Sequence, residues 1–485
     1  MDRPRLSPTD RRALVAVAAQ FFVNGAMTAS FIARAPQLRD RIGVSVDGYG
    51  LLMTVAASVG VLSSLFAGRI IHSASTRRVL QGGAIAMVIS LPIIGGARSP
   101  AVWLIGMFVY VFVDALVDIS MNLQGSWISA RRHTPIMNRL HGLWSLGMLT
   151  GCLGAVLANA ADWSTFQHLT VVAVVMSVVL AIVTHNLLTS DLDGHGEEAT
   201  APPAGRNGKP SRLPVVLLVA AGMFAVVMEI TGGDWATFRL TDDFGATAAV
   251  ASAAFVAYTV GMTAMRFGGD SLQTRLGRMG LHRLSLAIAT VGFVTASLVP
   301  NQTVSLVGFF LVGLGVATFM PKLYDDAARL PGRRGAGLGA MSGGMRVAFL
   351  VTPVAVGGLA GTSLSVGSAI AIFALPAALG LAIVTEWNDR STRRRLLRLV
   401  RDDERPVGEL AAELAISQPA VSQHLAVLRD AGLVVVRPEG RRKMVRADHD
   451  GIAAVAHFFD DYWNDALDRL ARAAEADASN RREAG

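Results

Sequence analysis

The residues best suited to chemistry are three polar side chains in one apolar stretch, Asp114, Asp118 and Asn122. Because they are four residues apart, they share one face of an α-helix. Two carboxylates one turn apart disfavour double ionisation, since their negative charges repel each other. The spacing therefore predicts a site that can hold an exchangeable proton.

Other apolar stretches also contain polar residues, and charges in such surroundings are costly enough to suggest a substrate, ion or proton path. These residues are Asn24, Glu229, Asp234 and Arg346. Arg346 is a candidate counter-ion for an acidic side chain or for an anionic substrate. Three further residues are candidates for lining the cavity through which such a path would run: His141, Trp144 and Trp235. Arg266 belongs to the same set of charges. The alternative is structural: these charges pair with one another or reach an interface, and the aromatic rings simply pack.

A second candidate site lies in the stretch ISQPAVSQHLAVLRDAGLVVVRPEGRRK, residues 416–443. Val421, Leu425 and Leu428 fall on one helical face, and Gly432 is expected to end that helix. Exposed Gln and Ser at the start of such a helix can contact base edges or phosphates. A strand, a turn at 438–440 and a second strand should follow, with basic residues at the tip. The candidate DNA contacts are Ser417, Gln418, Ser422, Gln423, His424, Arg441, Arg442 and Lys443.

The composition shows which elements must position these residues. Of 485 residues, 52% are hydrophobic and only 16% are charged, whereas soluble domains average about 25% charged residues. Apolar runs of about 20 residues match the thickness of a bilayer core. They predict a polytopic, all-α membrane protein with twelve spans, at about 13–34, 49–71, 79–97, 101–123, 140–160, 166–188, 213–238, 246–267, 281–299, 303–323, 336–358 and 364–387.

Basic residues are concentrated in the loops after even-numbered spans, which places both termini in the cytoplasm. The stretch 189–212 is polar and rich in Gly and Pro, so it is predicted to be a disordered cytoplasmic linker. The single cysteine, Cys152, excludes an intramolecular disulfide and any multi-cysteine metal site. The predicted organisation is a tail at 1–12, six-helix halves at 13–188 and 213–388, a winged helix-turn-helix domain of small α/β type at 389–475, and a tail at 476–485.

The two halves resemble each other in sequence. VGVLSSLFAG at 59–68 and VGMTAMRFGG at 260–269 both begin with Val-Gly and end with Gly, and they are 201 residues apart. LIGMF at 104–108 and LVGFF at 306–310 share Leu, Gly and Phe at the same positions and are 202 residues apart. Near-equal offsets indicate a duplicated six-helix unit, as in secondary transporters.

Residues 10–388 resemble the major facilitator superfamily, and FFVNGAMTASFIARAPQLRD, DISMNLQG, HGLWSLG and GGDWATF are similar to its fucose-permease-like branches. The resemblance implies proton coupling through Asp118, although the first span has Asn24 where the sugar symporters have an acid. It also implies a conformational latch in the loops between the second and third spans of each half. In the first half, His72-Ser73 replaces the acidic-basic pair of that motif. The latch candidates are Gly68, Arg77, Arg78, Asp270 and Arg275.

Residues 391–475 resemble the ArsR-type winged helix-turn-helix repressors, most closely in ISQPAVSQHLAVLRDAGLV and EGRRK. The resemblance implies double-stranded DNA as a partner and a homodimer formed through this domain. The Cys-x-Cys with which many relatives bind metals is absent from GELAAELA, so neither a metal nor another cofactor is expected.

These features favour a secondary transporter of a small solute, with or without a coupled proton, in the cytoplasmic (inner) membrane. Its C-terminal domain would regulate transcription. Two alternatives are a membrane-bound regulator that senses a ligand without transporting it, and a transporter whose tail dimerises without binding DNA. The absence of a nucleophile elbow, a phosphate-binding loop and a zinc-ligand cluster argues against an enzyme.

Overall fold

The computed structural model describes residues 8–132, 136–188, 212–328, 336–414, 418–440, 442–455, 457 and 469. The chain forms two compact units, Met1–Val384 and Thr385–Gly485. The predicted linker lies outside the described residues except for Arg212, and so does the chain after residue 457 except for Arg469.

The first unit is almost entirely helical. Its first half contains α1 (Pro8–Ile32), α2 (Ala35–Ile42), α3 (Val46–Ala74), α4 (Thr76–Gly96), α5 (Pro100–Arg132), α6 (Met137–Ala160) and α7 (Thr165–Val183). Its second half contains α8 (Arg212–Gly233), α9 (Ala236–Phe238), a π-helical turn (Arg239–Asp243), α10 (Ala248–Leu298), α11 (Gln302–Val316), α12 (Phe319–Ala328), α13 (Ala336–Ala360) and the start of α14 (Val366–Leu399). The described helices include twelve that are long and apolar enough to cross a membrane, which confirms the predicted number.

The helix packing confirms the duplication. α1 packs against α6, and α8 packs against α13 in the equivalent way. The halves meet where α3 contacts α13 and where α6 contacts α10. Apolar side chains such as Leu157, Ile182 and Leu379 are exposed, as expected for a surface that faces lipid.

The backbone repeats at the same offset as the sequence. α1 ends at Ile32 and α8 ends 201 residues later at Gly233. Ser75, between α3 and α4, has φ 71° and ψ 151°. Gly277, 202 residues further on, has φ 71° and ψ 168° and bends α10 between its two spans. The duplicated unit therefore conserves a backbone break that only glycine adopts without strain.

The second unit combines the end of α14 with β1 (Arg405–Pro406), α15 (Val407–Leu414), α16 (Gln418–Asp430), β2 (Val434–Glu439) and β3 (Arg442–Ala447). The three strands form an antiparallel sheet in the order β1-β3-β2. Leu396 and Val400 share one core with Leu410, Leu425 and Val445. This is the predicted winged helix-turn-helix.

Local signals explain the second unit's boundaries. Gly432 has φ 70° directly after α16, the left-handed conformation that ends many helices. The hairpin turns later than predicted: Pro438 and Glu439 still pair with β3, and the turn begins at Gly440, where φ is 60°. The strand can include Pro438 because β2 is at the edge of the sheet, where the missing backbone N–H of proline breaks no hydrogen bond.

Candidate functional site

The predicted carboxylates lie on a polar seam between α1 and α5. Asn24 Nδ2 donates to Asp114 Oδ1 at 2.6 Å. The other end of the same amide, Asn24 Oδ1, accepts a hydrogen bond of 2.9 Å from Trp144 Nε1. One turn away, the hydroxyls of Thr28 and Tyr110 are 2.7 Å apart. The seam thus joins three helices, α1, α5 and α6, through a single buried amide.

Asp118 lies on the same face of α5 but is exposed, whereas Asp114 is half-buried. Asn122 Nδ2 donates to Asp118 Oδ1 at 3.1 Å and to its backbone carbonyl at 2.8 Å. The two carboxylates interact electrostatically, and so do Asp118 and Tyr324 in the other half. Asp118 therefore faces the space between the halves.

The opposite wall contains Arg266, another of the charges expected at membrane depth. Its guanidinium lies over the Trp144 ring, 5.4 Å from the centroid, and donates to Ser145 Oγ. Arg266 also interacts electrostatically with Glu229. The contacts of Arg266 could not be predicted from a local pattern, because its partners lie in α6, 121 residues away in the case of Ser145.

The other candidates are distributed around this seam. His141 packs edge-on against Phe21, with ring centroids 5.3 Å apart. Arg346 is half-buried in α13 and forms no hydrogen bond or ion pair with any described residue. Asp234 and Trp235 line a separate small cavity, together with Phe238. Within the described ranges, no group of three His, Cys, Asp or Glu residues is placed to hold a metal ion.

One end of the space between the halves is closed by contacts between them. Arg39 of α2 pairs with Asp242 in the π-helical turn, and its guanidinium lies over the Phe238 ring. Burial alone would lower the pKa of Arg39, but the ion pairs with Asp242 and Asp40 raise it above its ordinary value. Nearby, Thr54 Oγ1 donates to the Leu350 carbonyl at 3.0 Å across the α3–α13 contact.

The latch candidates of the two halves have different surroundings. In the first half, Arg77 Nη2 donates to the carbonyl of His185 at 2.9 Å, while Gly68 and Arg78 are exposed. In the second half, Arg275 is exposed, and the side chain of Asp270 lies outside the described set. The ion pair found there is instead Arg278 with Asp326, which also contacts Lys322 Nζ at 2.8 Å.

In the second unit, α16 presents Gln418, Ser422 and Gln423 on its exposed side. The opposite face buries Val421, Leu425 and Leu428. Arg442 and Lys443 are exposed at the tip of the hairpin, whereas Ser417 and Arg441 lie outside the described residues. This arrangement can place polar side chains against base edges and basic ones against phosphates.

His424 differs from the other candidate DNA contacts, because its side chain is only 18% exposed. His424 Nδ1 lies 3.3 Å from Asp389 Oδ1, and Asp389 also pairs with Arg393 in α14. His424 therefore links the helix expected to read DNA to the helix that precedes the domain. Asp389 was not a sequence candidate, because the residues that form this contact are 35 positions apart.

Comparison with known proteins agrees with both units. Residues 16–353 match the Major Facilitator Superfamily, and residues 390–436 match the arsR family of bacterial regulatory proteins. The membrane protein MosC of Rhizobium meliloti is 27% identical over 330 residues, covering 67% of this chain and 77% of that protein. An HTH-type transcriptional regulator of Mycobacterium tuberculosis is 39% identical over 89 residues, covering 18% of this chain and 83% of the regulator.

Among solved structures, the nucleoside transporter NupG aligns with a TM-score of 0.56 and 11% identity, over 78% of this chain and 99% of that one. At this identity the likeness concerns the fold alone. Together with the twelve spans and the three-stranded wing, these matches establish that the chain belongs to the Major Facilitator Superfamily and carries an arsR-family helix-turn-helix domain at its C-terminal end.

Proposed function

We propose that the chain moves a small solute, coupled to a proton, across the cytoplasmic membrane, and that its C-terminal domain binds DNA and regulates transcription. The observation that carries the transport proposal is the contrast between the two ends of the helical bundle. Around the Arg39–Asp242 pair, Tyr49, Trp235 and Phe238 are at most 3% exposed. Towards the other end of the bundle, Asp118, His141 and Tyr324 are exposed.

A bundle sealed at one end and open at the other is what alternating access requires. The basic residues of the even-numbered loops support an open end that faces the cytoplasm, with both termini on that side. Asp118, in the open space and beside Asp114, is the proposed proton carrier. Asn24 and Trp144 hold Asp114 in place from the adjoining helices.

The transport proposal can be tested with the full-length protein in liposomes loaded with pyranine. A panel of small neutral, cationic and anionic solutes is added outside, and proton movement is recorded. We expect at least one solute to drive proton flux, and Asp118→Asn to remove that flux. The matched control is Asp162→Asn, an exposed loop position whose φ of 55° also suits asparagine. Solute uptake that Asp118→Asn leaves unchanged would remove Asp118 from the coupling path.

The DNA-binding proposal rests on the exposed Gln and Ser side chains of α16 beside a basic wing. It can be tested with full-length protein in nanodiscs and the DNA upstream of its own reading frame, at several salt concentrations. Gln423→Ala should reduce discrimination against scrambled DNA by about 1–3 kcal/mol. Arg442→Ala should weaken binding to both DNAs equally. It should also reduce the slope of log affinity against log salt concentration by about 1.

The control for these variants is Arg429→Ala, because Arg429 lies at the far end of α16 and pairs with Asp430. Equal affinity of the unaltered protein for both DNAs would contradict sequence-specific reading and favour a tail that only dimerises. A homodimer through this domain remains part of the proposal, and size measurement in the same nanodiscs tests it.

A further inference from the structure

The first helix of each half is interrupted at the same place in the repeat. α1 ends at Ile32 and α2 begins at Ala35, while α8 ends at Gly233 and α9 begins at Ala236. Each boundary in the second half lies 201 residues after its counterpart. Interrupted helices at equivalent positions of both halves are typical of binding sites in transporters, because the break exposes polar groups to a cavity.

Both interruptions open onto one small cavity at the sealed end of the bundle. Phe31 and Ala35 line it from the first half, and Asp234, Trp235 and Phe238 line it from the second. Tyr49 of α3 completes the aromatic wall. The cavity is therefore built by the repeat itself, with one set of residues from each copy.

The wall of this cavity consists mainly of aromatic rings. The centroid of Phe238 lies 5.2 Å from that of Trp235 and 5.3 Å from that of Tyr49. Ring faces attract cations to within about 6 Å of the centroid. The structure contains an instance at this wall, since the Arg39 guanidinium lies 5.3 Å from the Phe238 centroid.

Among the described residues that line the cavity, Asp234 is the one acidic residue. Its carboxylate forms no hydrogen bond or ion pair with any described residue. The nearby cation, Arg39, is already paired with Asp242 and Asp40. Glu229 also interacts with Asp234, but Arg266 balances the charge of Glu229, so Asp234 is the acid without a basic partner among the described residues. The charge balance of the cavity therefore favours a positively charged occupant.

We propose that this cavity binds the ammonium group of a small organic amine, which would make the transported solute an organic cation. This rests on the proposed transport function and names its substrate class. A metal cation fits the site poorly, because Mg²⁺ and Ca²⁺ need a shell of oxygen ligands and this wall is aromatic. A neutral sugar fits poorly as well, because the cavity offers few groups that hydrogen-bond to hydroxyls.

The test is binding of ethylammonium to the full-length protein in nanodiscs. Tryptophan fluorescence and thermal unfolding measure this binding. Ethanol serves as the neutral probe of similar size. We expect saturable binding of ethylammonium, a response to ethanol at least ten times weaker, and loss of the ethylammonium response in Asp234→Asn. Phe238→Leu should weaken binding several-fold because it removes the ring face and keeps an apolar side chain.

Asp162→Asn is the matched control and should bind like the unaltered protein. Unfolding curves of each variant without ligand show that it is folded, and Phe238→Leu keeps the test decisive if Asp234→Asn does not fold. Equal binding of ethanol, or unchanged ethylammonium binding in Asp234→Asn, would overturn the proposal. Amine binding without solute-driven proton flux would refute transport and leave the site intact. Flux of a solute that ethylammonium does not inhibit would refute the site alone.

Discussion

Asn24 donates a hydrogen bond of 2.6 Å to Asp114 across the interface of α1 and α5, at the position where the resemblance to sugar symporters leads one to expect an acid. The amide cannot carry the exchangeable proton of a carboxyl group. Instead it fixes the orientation of Asp114, because its oxygen is held by Trp144. Asp118 is left as the exposed carboxylate of the pair.

The Asn24–Asp114 bond should therefore be measurable as a coupling energy. Replacing either residue by Leu leaves a polar partner unsatisfied in an apolar setting, so each single variant should lower the free energy of unfolding by about 1–3 kcal/mol. Asn24→Leu with Asp114→Leu should cost less than the sum of the single changes. Unfolding of all four proteins in detergent gives the coupling, and Thr28→Val serves as a control for the adjoining contact. Strict additivity would show that the bond contributes no stability.

The ion pair between Arg39 and Asp242 should hold the sealed end closed. In a Cys152→Ser background, a cysteine at Met53, which lines the sealed cavity, reports its accessibility to a membrane-impermeant maleimide. We expect Arg39→Ala to raise the labelling rate several-fold. The double variant Arg39→Asp with Asp242→Arg exchanges the two charges and should return the rate to that of the parent protein. Arg41→Ala is the control, because Arg41 donates to the Ala97 carbonyl within its own half. An unchanged rate in Arg39→Ala would show that the pair does not act as a latch.

The sequence was sufficient for the elements that depend on local patterns. Apolar runs of bilayer length predicted twelve spans, and the burial of Val421, Leu425 and Leu428 follows from their spacing alone. The break between α8 and α9 was not predicted, because residues 213–238 were taken as one continuous span and the interruption depends on packing around Gly233. Asp389 was missed, and the partner of Arg266 was not predicted, for a related reason: the residues that they contact, His424 and Trp144, lie on other helices.

The matched breaks at Ser75 and Gly277 predict opposite effects of two substitutions. Ser75 holds a backbone conformation that is nearly restricted to glycine, at a cost of about 1–3 kcal/mol. Ser75→Gly should therefore raise the unfolding midpoint, and Gly277→Ser should lower it by a similar amount. Gly268→Ala is a control in the same half as Gly277, because a Cβ there meets nothing within 4 Å. A Ser75→Gly protein less stable than its parent would contradict this account of the repeat.

Asp326 provides a test of pH dependence outside the spans. Burial alone would raise its pKa, but Lys322 and Arg278 hold the pKa below the ordinary value of 3.8. A carboxyl group whose pKa is lowered by folding stabilises the protein above the unfolded pKa, and this contribution disappears as the pH falls through the folded pKa. The difference in unfolding midpoint between the unaltered protein and Asp326→Asn should stay constant from pH 7 to about pH 5 and shrink below about pH 4. Thermal unfolding in detergent across this range measures the difference, with Asp162→Asn, at an exposed loop position, as the control. A difference that grew on acidification would mean that Asp326 is not held ionised by its two basic neighbours.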